Sequence, residues 1–137
     1  MKIKLLAAVI LVFSGLAIGR AYQPASSSKV YEMRTYTATE GKLDAVNARF
    51  RDHTVKLFEK HGIKSVGYWI PSEGPMAGTT LVYILEHPSR EEARKNWAAF
   101  GADPEWQKAK AASEVNGRIV AKAESVFMTA TDYSAIK

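Results

Sequence analysis

The segment Val30–Thr37, with the sequence VYEMRTYT, constrains the fold of this chain more than any other part of it. Its β-branched and aromatic residues predict a strand, and side chains on a strand alternate between two faces. One face carries Val30, Glu32, Arg34 and Tyr36, and the other carries Tyr31, Met33 and Thr35. An acid, a base and a phenol in succession are unusual on a strand of otherwise buried composition. This face therefore either meets water or lines an interior in which the charges satisfy one another. The pattern predicts a site without naming a reaction.

The N-terminal residues 1–21 have the organisation of a secretory signal peptide. Lys2 and Lys4 precede an apolar run over residues 5–13, and small residues follow that run. The alternative is a membrane anchor, but a spanning helix needs about 20 apolar residues and this run is interrupted well before that. We expect cleavage before Tyr22, a secreted or periplasmic location, and no stable membrane anchor after processing.

Processing also changes the charge of the chain. Removing the leader takes away Lys2, Lys4 and Arg20 and no acidic residue, so 19 basic residues become 16 against 14 acidic, and the formal charge falls from +5 to +2. The sequence pI of about 9.5 therefore comes largely from the leader. It gives no argument for nucleic acid as a partner.

The mature chain is predicted to form one domain. Residues 22–29 are a serine-rich linker, and residues 30–137 are enough for one ordinary core but too few for two domains. The chain has no cysteine. Although export normally permits disulfides, its stability must come from packing.

Periodicity and capping signals predict the element order β-α-β-β-α-α-β. The first helix is expected over about residues 42–61, with His53 on its apolar stripe, and Gly62 is placed to end it in the left-handed conformation. Ser89 and Glu92 form a capping box for the second helix, which is split in two before the last strand. This order predicts an α+β ferredoxin-like sandwich, in which helices cover a single face of an antiparallel sheet.

Such a sheet leaves one face without helices. The usual solution is to pair two copies face to face, which would give a homodimeric α/β barrel. We expect the face that bears Glu32, Arg34 and Tyr36 to form the inner wall of that barrel.

Several short motifs resemble the NIPSNAP family. They are VYEMRTY at 30–36, HT at 53–54, FEKHGI at 58–63, VGYW at 66–69, LVY at 81–83, Trp97, Phe100 and DPEWQ at 103–107. Their order and spacing extend the resemblance over about residues 30–130. It implies a dimeric α/β barrel, related to small monooxygenases and stress-responsive barrel proteins. It implies no common reaction: some relatives act at mitochondria as interaction proteins, and fold analogy does not transfer function.

His53 is the first candidate catalytic residue. Its place on the helix stripe would direct it into the interface between helix and sheet, where it would act as a general base or as an axial haem ligand. The competing interpretation is a buried histidine that hydrogen-bonds a backbone carbonyl or a tyrosine.

Glu32, Arg34, Tyr36 and Trp69 are the candidate ligand-binding residues. Arg34 would hold a substrate carboxylate, and Tyr36, which is also a candidate catalytic residue, would donate a hydrogen bond. The competing interpretation is an ion-pair network that fixes the register of a dimer. Trp69 shares its strand side with Gly67, which leaves room beside it.

The common catalytic motifs are missing from the mature chain. It has no cysteine nucleophile, no Gly-x-Ser-x-Gly elbow, no phosphate-cradling glycine loop and no His-x-x-x-His pair. His53 and His61 would lie about 12 Å apart along a helix, so we predict no metal and no cofactor. The leading function is binding of a small apolar ligand or of a partner protein. The alternative is a cofactor-independent monooxygenase or isomerase for an apolar or quinone-like substrate, and haem binding through His53 is third.

Overall fold

The computed structural model describes residues 29–137; the predicted signal peptide and residues 22–28 of the linker lie outside the described residues. The predicted order of elements is confirmed, with the first helix divided by a π-helical segment. The elements are β1 (Val30–Ala38), α1 (Leu43–Arg49), the π-helical segment (Phe50–Thr54), α2 (Val55–Lys60), β2 (Lys64–Trp69), β3 (Thr80–His87), α3 (Arg90–Ala102), α4 (Pro104–Ser113) and β4 (Val120–Met128). Over residues 29–137, no helix has the length and apolar character needed to span a membrane.

The four strands form one antiparallel sheet in the order β2-β3-β1-β4. The strand β1 is central and pairs with β3 on one side and with β4 on the other. All helices pack on one face of this sheet around a core that includes Val46, Phe58, Tyr83 and Leu85. The chain therefore has the predicted α+β, ferredoxin-like architecture.

The interruption of the first helix moves His53 to the surface. A π-helical turn takes one more residue than an α-helical turn, so it shifts the phase of the stripe that faces the sheet. Thr54 occupies the buried position instead, 1% exposed, and its hydroxyl donates to the Arg49 carbonyl at 3.2 Å. The expectation that His53 points into the interface between helix and sheet is therefore wrong.

Side-chain caps begin the two helices of the second half. The Ser89 hydroxyl accepts a hydrogen bond from the Glu92 amide at 3.1 Å, as the capping box predicts, but the Glu92 carboxylate pairs with Lys95 instead of closing the box. The Asp103 carboxylate accepts from the Glu105 amide at 2.8 Å and opens α4 at Pro104. These caps set where α3 and α4 start and hence which of their side chains meet the sheet.

Glu32, Arg34 and Tyr36 lie on the face of the sheet that the helices cover. Glu32 is directly opposite Leu85, and Arg34 is directly opposite Tyr83, in the antiparallel register with β3. The expectation that this face is the inner wall of a dimeric barrel is therefore wrong. Strand alternation divides the side chains of β1 between two faces. The helices pack on the face that also carries the large apolar side chains of β3.

The opposite, open face of the sheet carries Met33, Val82 and Ile84 at its centre. Two large apolar side chains on it are about half exposed, Val126 at 53% and Trp69 at 51%. A Cβ on Gly67 would come within 2.6 Å of the Trp69 ring. The room predicted beside Gly67 is thus filled by Trp69 itself, which is why this position favours glycine.

Candidate functional site

The buried carboxylate of Glu32 is the centre of the candidate site. Glu32 is 2% exposed. Its Oε2 accepts a hydrogen bond from the indole nitrogen of Trp97 at 2.7 Å and lies 3.0 Å from Nε2 of His87. Its Oε1 accepts a hydrogen bond from Nη1 of Arg34 at 2.6 Å. Side chains from β1, β3 and α3 thus converge on one carboxylate, and we call Glu32, Arg34, His87 and Trp97 the carboxylate cluster.

Local sequence places each member of the carboxylate cluster. His87 ends β3 and follows Leu85, the residue opposite Glu32, at the two-residue step that keeps it on the same face. Ser89 then caps α3, so the chain turns from the strand directly into the helix. Trp97 lies on the stripe of α3 that also carries Phe100, and the two rings are 5.6 Å apart.

The cluster keeps Glu32 ionised. Burial works to raise the pKa of Glu32, but the hydrogen bonds from His87 and Trp97, together with the charge and hydrogen bond of Arg34, hold that pKa below its ordinary value. Three donors on one carboxylate are the compensation that a buried charge requires.

Arg34 is fixed between the carboxylate and an aromatic ring. Its guanidinium carbon lies 4.3 Å from the centre of the Trp97 ring and 5.7 Å from that of Tyr36. Burial works to lower the pKa of Arg34, but the oxygens of Tyr83, Tyr36 and Glu32 outweigh it and raise that pKa. The side chain is 19% exposed, whereas its Nε is buried and has no hydrogen-bond partner within residues 29–137.

An aromatic wall continues from Arg34 along the sheet. The ring of Tyr83 lies 5.3 Å from Tyr36, 5.2 Å from Phe50 and 5.6 Å from Tyr68, centre to centre. Tyr83 is 0% exposed, and its hydroxyl makes no hydrogen bond of ordinary geometry among the described residues, although the side chain of Tyr36 lies close to it. Burial raises the pKa of Tyr83 well above its ordinary value, so the hydroxyl stays a neutral donor.

A cavity reaches this wall from the β2 edge. Its volume is about 290 Å³, and its lining includes Phe50, Tyr68, Leu81 and Trp69. Phe50 and Tyr68 are also in contact with Tyr83, so the cavity adjoins the outer side of the wall.

The structure brings three of the predicted site residues together and leaves two elsewhere. Glu32, Arg34 and Tyr36 share the site. His53 lies on the surface and borders two depressions between the first helix and α4. Trp69 lies on the open face of the sheet, although its edge borders the cavity at β2. A haem pocket at His53 between helix and sheet therefore has no structural basis.

Sequence reasoning did not assign His87 or Tyr83 to the site, and it named Trp97 without a polar role. Tyr83 and His87 follow the alternation of β3, so they share a face with Leu81 and Leu85, and that pattern could have placed them in the core. The polar contact between Trp97 and Glu32 had no comparable signal, because the two residues are 65 positions apart.

A second charged group ties the end of α2 to the start of α4. The carboxylate of Asp103 lies 2.9 Å from Nζ of Lys60 and 2.6 Å from Nε2 of His61. The hydrogen bond from Lys60, then that from His61, hold the pKa of Asp103 well below its ordinary value. This group caps and fastens helices. Within the part of the chain that the structure describes, no cluster of three or more His, Cys, Asp or Glu side chains is arranged to hold a metal ion.

Fold and site together define a class: a small α+β domain with a four-stranded antiparallel sheet, a buried arginine–carboxylate pair and an aromatic wall under its helices. The sequence model of the NIPSNAP family matches residues 31–135. The chain therefore belongs to the NIPSNAP family. A comparison with curated proteins finds no match.

Solved structures share the same fold. A NIPSNAP family protein with unknown function from Agrobacterium tumefaciens is 23% identical, with a TM-score of 0.70 over 82% of this chain and 97% of that one. A NIPSNAP-like domain protein from Burkholderia xenovorans is 16% identical, with a TM-score of 0.68 over 79% of this chain and 90% of that one. A variant of SnoaB, a cofactor-independent oxygenase from Streptomyces nogalater, is 14% identical, with a TM-score of 0.53 over 80% of this chain and 99% of that one. At these identities the likeness concerns the fold alone.

Proposed function

We propose that this NIPSNAP domain is an exported homodimer that binds a small apolar molecule carrying one acidic oxygen at Arg34. The observation that carries the proposal is a pair of buried donors. Nε of Arg34 and the hydroxyl of Tyr83 have no partner within residues 29–137, and the two residues are directly opposite on neighbouring strands. Opposite residues in an antiparallel pair have Cβ atoms about 4.5–5.5 Å apart, so these two side chains are neighbours. The proposed ligand would offer a carboxylate, enol or phenol oxygen to these donors.

The side chain of Arg34 is already held in one orientation before a ligand binds. Glu32 holds Nη1 at 2.6 Å and Trp97 stacks on the guanidinium at 4.3 Å, so little side-chain freedom is lost on binding. The side chain of Arg34 is 19% exposed although its Nε is buried, so the proposed ligand would approach from the exposed part of the side chain.

The charge balance restricts the ligand further. Glu32 already neutralises Arg34, so the pair offers hydrogen bonds without a large net positive charge. A weakly acidic oxygen on an aromatic or apolar body suits such a site better than a multiply charged anion. The rings of Tyr36 and Tyr83 would contact that body.

Calorimetric titration with benzoate, salicylate and 1-naphthol tests the proposal. Arg34→Met should weaken binding of at least one of these compounds by about tenfold or more, because a charge-assisted hydrogen bond is lost. Arg94→Met, at an exposed position on α3, is the matched control and should bind like the wild type. An Arg34→Met protein that binds all three compounds normally would contradict the proposal.

Tyr83→Phe separates a ligand site from a purely structural one. Removing a buried hydroxyl without a partner should raise the free energy of unfolding by about 1 kcal/mol. The same variant should lose affinity for the ligand that Arg34 binds. A variant that gains stability and keeps full affinity would exclude Tyr83 from the site.

A cofactor-independent monooxygenase or isomerase is the second candidate. The observation that favours it is the position of Arg34 beside an aromatic wall, where it would stabilise an enolate or phenolate better than water does. The fold shared with SnoaB is compatible with this activity. Oxygen consumption with hydroxynaphthoquinones and hydroquinones is the assay, and turnover that survives Arg34→Met would argue against a role for this site.

The open sheet face supports the homodimer. Met33 and Val82 lie at its centre, and Val126 and Trp69 are half exposed there. A second copy of the chain would cover these apolar groups through a two-fold axis. The Glu32–Arg34 pair plays no part in that contact, since it lies under the helices.

The leader supports export. Intact-mass analysis of the protein from its native host should find a chain that starts near Tyr22 outside the cytoplasm. Retention of residues 1–21 in a membrane fraction would contradict this part of the proposal.

A further inference from the structure

The C-terminal residues form one wall of a second cavity, on the open face of the sheet. After β4 ends at Met128, residues 129–137 pass back over the sheet, and we call them the C-terminal strap. The strap and the side chains of Tyr31, Val66, Ile84 and Met128 line a cavity of about 290 Å³ that is open to solvent on one side. This volume is just below the range of about 300–1,000 Å³ that small-molecule sites occupy.

Polar contacts hold the strap in place. Nζ of Lys29 donates to the carbonyl oxygen of Lys137 at 2.7 Å and lies 3.3 Å from the carboxylate of Glu86 on β3. Within the strap, the amide of Ser134 donates to the carbonyl of Thr131 at 3.1 Å, and the hydroxyl of Ser134 donates to the carbonyl of Ile136 at 2.8 Å. Both ends of the strap are therefore attached to the sheet.

The cavity has one buried polar group that the protein leaves without a partner. Tyr31 is 5% exposed, and its hydroxyl makes no hydrogen bond to any residue of the described range 29–137. The other sheet residues that line the cavity are apolar. A hydroxyl buried without a partner is costly, and a ligand atom would remove that cost.

The residues that line the cavity carry no charge: they are Tyr31, Val66, Ile84, Met128, Thr129, Ala130, Thr131, Ser134 and Ile136. Glu86, directly opposite Tyr31 on the same face, pairs its carboxylate with Lys64 at 3.2 Å and Lys29 at 3.3 Å. A charged ligand would therefore find no charged partner in the lining, and the chemistry of the cavity selects an uncharged molecule.

We propose that this cavity is a second binding site, for a small, neutral, apolar molecule with one hydrogen-bonding group that reaches the Tyr31 hydroxyl. It is independent of the site at Arg34, because Tyr31 and Arg34 are on opposite faces of β1. The two sites also differ in ligand chemistry. The site at Arg34 would bind an acidic oxygen under the helices, and the cavity at the strap would bind an uncharged molecule.

The test uses N-phenyl-1-naphthylamine, a neutral fluorescent probe, with the full mature chain. We expect saturable binding, with an emission that rises on transfer to an apolar site. Ile84→Trp fills the cavity, and Ile136→Asp puts a charge on the strap at a half-exposed position. Both variants should reduce probe affinity by at least tenfold, and Tyr31→Phe should reduce it by about threefold to tenfold.

Val115→Asp and Tyr133→Phe are the controls, since these side chains are 80% and 86% exposed and line neither cavity. Thermal unfolding and light scattering of each variant show whether it is folded and in the wild-type assembly. Absence of saturable binding would overturn the proposal, as would binding that survives both Ile84→Trp and Ile136→Asp. Full affinity in Tyr31→Phe would remove the hydroxyl from the site.

Discussion

The indole nitrogen of Trp97 on α3 donates a 2.7 Å hydrogen bond to the carboxylate of Glu32 on β1, which joins the helical layer to the central strand of the sheet. The same Trp97 ring stacks on Arg34, the ion-pair partner of Glu32. One tryptophan therefore supports both halves of a buried ion pair. Without it, the orientation of Arg34 would depend on Glu32 and on the more distant Tyr36 ring.

Trp97→Phe should lower the free energy of unfolding by about 1–3 kcal/mol. The substitution keeps an aromatic ring but removes a donor to a buried carboxylate, and hydrogen bonds to charged groups are the strong ones. Urea unfolding measures the change. Tyr133→Phe, at a side chain that is 86% exposed, is the control and should change stability by less than about 0.5 kcal/mol.

Stability should depend on pH through Glu32. The folded-state pKa of Glu32 is below its ordinary value of 4.5, so the folded protein binds this proton less readily than the unfolded chain. Its contribution to stability is therefore present above about pH 4.5 and is lost as the pH falls through the folded pKa.

Glu32→Gln measures that contribution. Its stability deficit relative to the wild type should be constant near neutral pH and should shrink below about pH 4.5, as followed by urea unfolding at several pH values. Glu73→Gln, in an exposed loop, should follow the wild type throughout. If the stability deficit of Glu32→Gln grew as the pH fell, the expected pH dependence would be contradicted.

His87 and His53 should behave in opposite ways. His87 is 0% exposed and bonded to Glu32, so His87→Ala should cost about 2–4 kcal/mol through a lost hydrogen bond and a cavity. His53 is exposed, so His53→Ala should stay within about 0.5 kcal/mol of the wild type. Thermal or urea unfolding of the two variants, measured side by side, tests both expectations. A large loss of stability in His53→Ala would contradict the surface placement of that side chain.

Val126→Glu should disrupt the proposed homodimer. It places a charge at a half-exposed position on the open face, next to Met33 on the neighbouring strand. Light scattering at micromolar concentration should give about twice the chain mass for the mature wild type and one chain mass for the variant. Val115→Glu, 80% exposed between α4 and β4, should remain dimeric.

Arg34→Glu has a different expected effect from the one that the sequence suggests. The alternation of β1 by itself predicts that Arg34 faces a partner subunit, where a charge reversal would weaken a dimer. Because Arg34 packs against Trp97 and Glu32 within its own subunit, the reversal should instead lower the stability of the fold. An Arg34→Glu protein with wild-type unfolding and a weakened dimer would contradict this assignment.

Local features of the sequence determined most of the fold. Ser89 caps the helix that the capping box predicts, and Gly62 ends α2 with a φ of +69°. These are short-range properties: a hydroxyl or carboxylate satisfies an amide two or three residues away, and glycine alone adopts positive φ without strain. They predict the order of elements, and that order excludes most alternative topologies.

Tertiary structure alone decided the site. Alternation on β1 grouped Glu32 with Arg34 and Tyr36, but it did not say which face the helices would cover. That choice depends on the apolar area of β3 and on where Trp97 falls when α3 packs, 65 positions from Glu32. The π-helical turn at Phe50–Thr54 similarly places His53 outside the core. One extra residue in a helical turn leaves the sequence pattern almost unchanged, but it changes the direction in which the side chains of that turn point. A buried charge needs several partners at once, and only the folded chain brings them to the same carboxylate.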